Sequence, residues 1–351
     1  MTSQENLQKV ISYLREYDGP DVKFMEVCGT HTAAIFKGGI RDLISDKIHL
    51  ISGPGCPVCV TPTAFIDKCV AYSEMPGHRL YSFGDMLKVP GSHGSLSDNK
   101  GLGANVEVVY SPFDVIRRAQ EEPDVTHVVA AVGFETTAPI YSLMVKALKE
   151  KGIGNVRFVT AIKTITPALE WICENEEGID GFICPGHVCV ITGSEIFEPL
   201  AERYEKPFVV SGFEPEHILA VIYDLLRQVE AGKHEVRNHY KNAVKEGGNG
   251  KALAVLGETF EAGPAVWRGL GSIPGSGLYL AGEYAAYDGG SRGLDEDMEL
   301  PPSCRCKDVI TGRIDPDACP MFGTGCTPTA PYGPCMVSAE GACGIWYRNR
   351  G

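Results

Sequence analysis

Six cysteines crowd the C-terminal end of the chain: Cys304, Cys306, Cys319, Cys326, Cys335 and Cys343. Thiolates are soft metal donors and reversible electron carriers, so this density points to a metal centre or a thiol relay. A second sulfur set lies far upstream, in Cys28-Gly29-Thr30-His31 and Cys56-Pro57-Val58-Cys59. A chain with soft donors at one end and a Cys-x-x-Cys pair at the other looks built to move electrons.

Cys304, Cys319, Cys326 and Cys343 are widely and unevenly spaced, on loops rich in Pro and Gly. Donors spaced so loosely can enclose a [4Fe-4S] cube from several sides. Structural zinc sites usually show paired, tighter Cys-x-x-Cys knuckles, so spacing favours iron–sulfur, although softness permits both. Cys306 and Cys335 are left over, either as buried spectators or as a dithiol exchanging electrons with the centre. Cys56 and Cys59 read as a redox pair rather than a metal knuckle, because no second knuckle lies near them. Pro57 fixes the turn and keeps the two sulfurs within bonding reach. Cys28 and His31 suit either a metal or a nucleophile and base. A lone Cys-x-x-His is structural more often than not. Glu135 and His187 carry the same caution: Glu135 and Thr30 read as cleft-lining, and His187 as a donor or metal ligand.

Composition narrows the setting. Net charge is −13, which excludes a nucleic-acid partner. No apolar run is long enough to cross a bilayer, so no membrane span is expected. The opening stretch, MTSQENLQKVISYLREY, reads as an amphipathic helix without a signal-peptide core. The expected compartment is the cytoplasm, where thirteen cysteines serve as ligands or redox groups before structural disulfides. Cys69 and Cys173 read as small buried hydrophobes.

Short apolar runs must position these residues. They are 22–27, 48–52, 79–83, 106–111, 126–134, 156–162, 181–184 and 207–212. Such continuous runs suit strands buried on both faces of parallel sheets, with helices between them. The pattern predicts an α/β protein: two related open parallel-sheet (Rossmann-like) units around a central cleft, plus a C-terminal iron–sulfur cluster domain. The units are placed at 1–120 and 121–230, and the third domain at 231–351. Every distinctive polar motif follows a predicted strand, and ligands gather at strand carboxyl ends. Beyond 231, residues 234–245 and 251–260 read as helices. Residues 267–280 read as a turn-rich connection, and 293–302 as an acidic linker.

These segments carry a specific resemblance. CGTH (28–31), GPGCPVCVTP (53–62), YSFGDMLKVPGS (81–92), VYSP (109–112), GFETTAP (133–139), PGHV (185–188), GFEP (212–215) and the C-terminal cysteine array resemble the hydrogenase maturation factor HypD family over nearly the whole length. The resemblance implies that Cys304, Cys319, Cys326 and Cys343 hold a [4Fe-4S] cluster, with Cys306 and Cys335 a thiol pair beside it. Cys56 and Cys59 match a redox-active pair in the central cleft, and Cys28 the thiolate holding the iron. His31 and His187 are further candidate ligands. The implied partners are the chaperone HypC and the cyanide donor HypE, with the hydrogenase large subunit served indirectly. The implied product is Fe(CN)2CO for [NiFe] hydrogenase. Cys189 and Glu216-His217 depart from the family pattern. Releasing cyanide from a thiocyanate-like group needs two electrons, which a dithiol stores while a cluster supplies them singly. The expected route therefore runs from the cluster through Cys306/Cys335 and Cys56/Cys59 to Cys28. Two other readings stay open: a thiol–disulfide oxidoreductase with a structural metal, and a non-catalytic docking scaffold.

Overall fold

The computed structural model describes residues 3–296 and 303–349. Part of the expected acidic linker, 297–302, lies outside the described residues. All eight apolar runs form strands: β1 (Val22–Glu26), β2 (Ile48–Ser52), β3 (His78–Ser82), β4 (Val106–Val108), β5 (Thr126–Gly133), β6 (Val156–Lys163), β7 (Gly181–Pro185) and β8 (Phe208–Ser211). Three more follow: β9 (Val236–Asn238), β10 (Phe260–Trp267) and β11 (Gly271–Leu280).

The strands form two sheets. The first has the order β2-β1-β7-β8-β9 and is parallel throughout. The second has the order β10-β11-β6-β5-β3-β4; it is parallel from β6 to β4, with β11 and β10 added antiparallel. Its β5 and β6 are buried along nearly their whole length, which is why both read as uninterrupted apolar runs.

The α/β class and the parallel pairing are as expected, but the division at residue 120 is not. The chain leaves the first sheet after β2, through the helix Thr63–Glu74, and builds β3 to β6 in the second sheet. It then returns through the helix Ile165–Asn175 to β7. Each sheet thus takes strands from both 1–120 and 121–230. The physical reason is that eight apolar runs are nearly alike, and burial on both faces marks a strand without naming its neighbour.

Two local expectations also change. Residues 234–245 are not a helix: Val236–Asn238 forms edge strand β9, paired with Phe208–Val210. Residues 267–280 are not a loose connection, because β10 and β11 make an antiparallel hairpin docked on β6 at Gly277↔Lys163. Gly269 in the hairpin turn, and Gly275 where the β10–β11 register is irregular, both have positive φ and let so glycine-rich a run bend into it. The helix over 251–260 is present as Gly250–Thr259.

One packed cluster runs between the sheets and into the C-terminal segment. It joins Met25, Phe182 and Phe208 to Cys56, Cys59, Trp267, Cys306 and Cys335. Each large apolar side chain buried there contributes roughly 1.5–3 kcal/mol. Among the described residues, no helix is long and apolar enough to cross a membrane.

Candidate functional site: a strand-end cleft beside a sulfur cavity

β1, β7 and β8 are neighbours in the first sheet, so their carboxyl ends bring Cys28, His187 and Phe213 together. Cys28 caps the helix Gly29–Lys37 in an extended conformation, and its N–H donates to Glu26 Oε2 at 3.1 Å. Glu26 is buried, accepts a hydrogen bond from the Thr32 hydroxyl, and is pushed up to about 7 by desolvation. Cys28 is partly exposed, yet desolvation pushes its thiol up to about 11 against the Thr30 N–H and hydroxyl donors.

His31 is fully buried, and its Nε2 lies 3.1 Å from the Gly212 carbonyl oxygen. A carbonyl only accepts, so Nε2 carries the proton and Nδ1 is the lone-pair nitrogen. That Nδ1 has no partner, and burial depresses the imidazole to about 4. A fixed N–H on a backbone carbonyl with a bare second nitrogen is how proteins orient a histidine toward a metal or proton. Phe213 stacks with both His31 (ring centroids 4.8 Å apart) and His187 (3.9 Å), so one ring brings the two imidazoles into the same site.

Cys56 and Cys59 follow β2 on the crossover between the sheets and are joined as a disulfide. A β-carbon at Gly55 would come within 2.4 Å of the Val27 carbonyl carbon and 2.5 Å of Cys28 N, so only glycine lets this loop lie on the Cys28 backbone. On its other side, Cys59 Sγ is 4.0 Å from the carbonyl oxygen of Pro334, the residue before Cys335.

The C-terminal segment brings its six cysteines to one cavity, with Met321, Phe322 and Met336 completing the lining. Cys335 interacts with both Cys306 and Cys343, so the expected thiol pair is joined through it to a member of the expected ligand set. Cys306 is held well above the ordinary thiol range by its hydrogen bond with Cys335 and by burial. The Tyr332 N–H donates to Cys326 Sγ at 3.2 Å. This donor set is all sulfur, which suits zinc or an iron–sulfur cluster and not a hard cation that needs oxygen. Among the described residues, no three His, Cys, Asp or Glu side chains are arranged to hold a single metal ion.

The segment is locked to the strand ends. A β-carbon at Gly29 would sit 2.1 Å from the Glu340 carbonyl oxygen. Asp85, just after β3, accepts from Ala339 N at 3.1 Å and from the Ser338 hydroxyl at 3.3 Å. Trp346 packs edge-on against Phe36 at 4.9 Å.

Glu135, two residues beyond the end of β5 in the second sheet, is buried and accepts from Ile165 N at 2.8 Å. Cys69 is buried as expected, whereas Cys173 is only partly so. Sequence reasoning missed Glu26, Phe213 and Asp85. For Glu26 a signal existed: an acid closing an apolar strand two residues before a cysteine.

The fold and sulfur placement describe a two-sheet α/β protein with a cysteine-lined C-terminal cavity next to its strand-end cleft. The HypD profile, described as "Hydrogenase formation hypA family", matches residues 3–350. Proteins named hydrogenase maturation factor HypD are similar throughout. The Escherichia coli protein is 38% identical over 350 residues, covering 99% of this chain and 94% of its own. The Rhizobium leguminosarum protein is 44% identical over 335 residues, covering 91% and 86%. The Rhodobacter capsulatus protein is 40% identical over 338 residues, covering 94% and 90%. The chain belongs to the HypD family, and its role is in hydrogenase maturation.

Proposed function

We propose that the chain, with HypC, is the scaffold on which Fe(CN)2CO of [NiFe] hydrogenase is assembled, and that it releases cyanide carried by HypE onto iron at Cys28. One observation carries this reading. The Cys56–Cys59 pair touches the Cys28 backbone through Gly55 and the Cys335 segment through Pro334.

In the dithiol state, Cys56 and Cys59 would reduce a thiocyanate-like group R–S–C≡N. Two thiols become the disulfide, and the sulfur–cyanide bond breaks to give R–SH and hydrogen cyanide. The Cys28 thiolate and the bare Nδ1 of His31 supply soft and borderline donors for iron(II), with the Gly212 carbonyl holding the imidazole in place. Phe213, flanked by His31 and His187, fills the cleft with aromatic surface. Cys304, Cys319, Cys326 and Cys343 would hold a [4Fe-4S] cluster, which supplies single electrons when bound. Cys335 follows Pro334 in the chain and interacts with Cys306, so this pair would exchange electrons with Cys59.

A general thiol–disulfide oxidoreductase needs a disulfide that a protein thiol can attack. Here Cys56 is 6% and Cys59 1% exposed, which favours exchange within the chain. The test is a Cys56→Ser variant mixed with cyanide-loaded donor. Cyanide transfer should be lost while bound iron is retained; full transfer would leave only a docking role.

A further inference from the structure

Opening Cys56–Cys59 takes two electrons, and the chain must receive them from outside. Residues 318–339 wrap the sulfur cavity and contain no Asp, Glu, Lys or Arg, although the chain carries a net charge of −13. Cys319, Cys326 and Cys335 of this stretch are buried, whereas Gly323, Thr324, Thr329, Ala330 and Tyr332 are exposed. Tyr332 is 47% exposed, and its N–H is the one that donates to Cys326 Sγ at 3.2 Å. A β-carbon on Gly333, the next residue, would sit 3.1 Å from Cys304 Sγ and 3.7 Å from Cys306 Sγ. Tyr347 is 38% exposed and packs edge-on against the cavity-lining Phe322, with centroids 6.2 Å apart. Electron tunnelling decays steeply with distance, so a surface whose backbone touches three of the sulfurs offers a short way in.

The rim of this face has its own charge pattern. Arg305 and Lys307, on either side of Cys306, are exposed, as is Arg348 beside Tyr347. Of the acids nearby, Asp308 is paired with Arg305 and Arg313, Glu340 lies against Gly29 on the cleft side, and Asp317 is exposed. The centre is uncharged and aromatic, and its exposed rim is mainly basic, which suits an acidic partner. A second copy of this chain fits less well, because a two-fold contact would set Arg305 and Arg348 against their own kind.

We propose that the surface centred on Tyr332 and Tyr347 docks a small acidic one-electron carrier protein and is the port through which electrons enter the sulfur cavity. The carrier loses one electron at each encounter and the centre in the cavity gains it, with no bond made or broken. Two encounters supply the electrons that open Cys56–Cys59, with two protons from water. A patch of this size suits a brief encounter rather than a permanent subunit. The port rests on the iron–sulfur reading of the cavity proposed above.

The probe is a plant-type [2Fe-2S] ferredoxin, used with anaerobic, iron-loaded protein. Calorimetry follows binding of the oxidised ferredoxin at low and high salt, and stopped flow follows reoxidation of the reduced form. Wild type should bind it, more weakly by about tenfold or more at high salt, and should reoxidise it. The Arg305→Glu/Arg348→Glu double variant, and separately Tyr332→Asp, should lose binding and slow reoxidation about tenfold or more. Reduced methyl viologen, too small to need a docking face, should react with both at the wild-type rate. Arg117→Glu, on the helix Asp114–Glu121, should change nothing. Wild-type ferredoxin rates in both face variants overturn the proposal, as does an iron-loaded wild type that methyl viologen reduces and ferredoxin neither binds nor reduces. Equal slowing with both donors assigns these residues to the structure of the cavity and rejects the port. Self-association that Tyr332→Asp abolishes, with the ferredoxin rate unchanged, gives the face to a second copy. Protein that holds no iron defeats the iron–sulfur reading itself, and the port falls with it.

Discussion

In the cleft, reactive side chains leave the ends of strands, and backbone groups hold them. Gly212 fixes His31, Ile165 fixes Glu135, and Glu26 takes the Cys28 N–H. In the sulfur cavity, six cysteines come from loops and short helices, and much of what faces each sulfur is another sulfur. The first region is ordered by hydrogen bonds that exist before any ligand arrives. The second has few partners of its own, so a bound group would contribute much of its order. The contrast predicts that metal loss harms the cavity first and the cleft only through the Gly29–Glu340 and Asp85–Ala339 contacts.

The largest expected effect is at the cavity. Serine at Cys304, Cys319, Cys326 or Cys343 should cost most of the bound iron and the brown colour of anaerobic protein, read by metal analysis and visible absorption. Cys56→Ser should leave both intact, which separates the regions. If cavity variants keep full iron, the contrast is wrong.

Next is the seam between them. Gly29→Ala places a methyl 2.1 Å from a backbone oxygen that no side-chain rotation can clear. It should destabilise the chain by about 1–3 kcal/mol or detach the C-terminal segment, seen as a lowered Tm and new proteolysis there.

A smaller effect distinguishes the cleft by pH. Glu26 sits at about 7 in the folded chain against an ordinary 4.5, so the folded state binds its proton more tightly. Stability from this group is full below about 4.5, falls as pH rises to about 7, and is level above that. Its extent is roughly 3 kcal/mol at most. Glu26→Gln should flatten the Tm profile in that window. The smallest effect belongs to the surface: Arg203→Ala breaks exposed pairs with Glu170 and Glu174 and should change stability by less than about 1 kcal/mol.

Much of this was legible in the sequence. Each apolar run became a strand because burial on two faces leaves one compositional mark, and each polar motif followed a strand because that is where parallel sheets open. The C-terminal cysteines announced a shared site by number and type. Strand order was not legible: β1 pairs with β7 although most of the second sheet lies between them in the chain, and nothing in Val22–Glu26 names Gly181–Pro185. Nor was Gly269 readable as a hairpin turn, since glycine permits a turn without specifying which strands it joins. Phe213 looked like one more aromatic, although it stacks with two imidazoles.

The account stands or falls on passage of electrons between the two regions through the Cys335–Pro334–Cys59 contact. The direct measurement is to treat anaerobic protein with a one-electron donor, quench with an alkylating agent, and map the labelled cysteines by mass spectrometry. Wild type should open Cys56–Cys59 and label both, whereas Cys335→Ser should keep that disulfide closed with its iron retained. Equal opening in the two proteins, or none in wild type, would contradict the account.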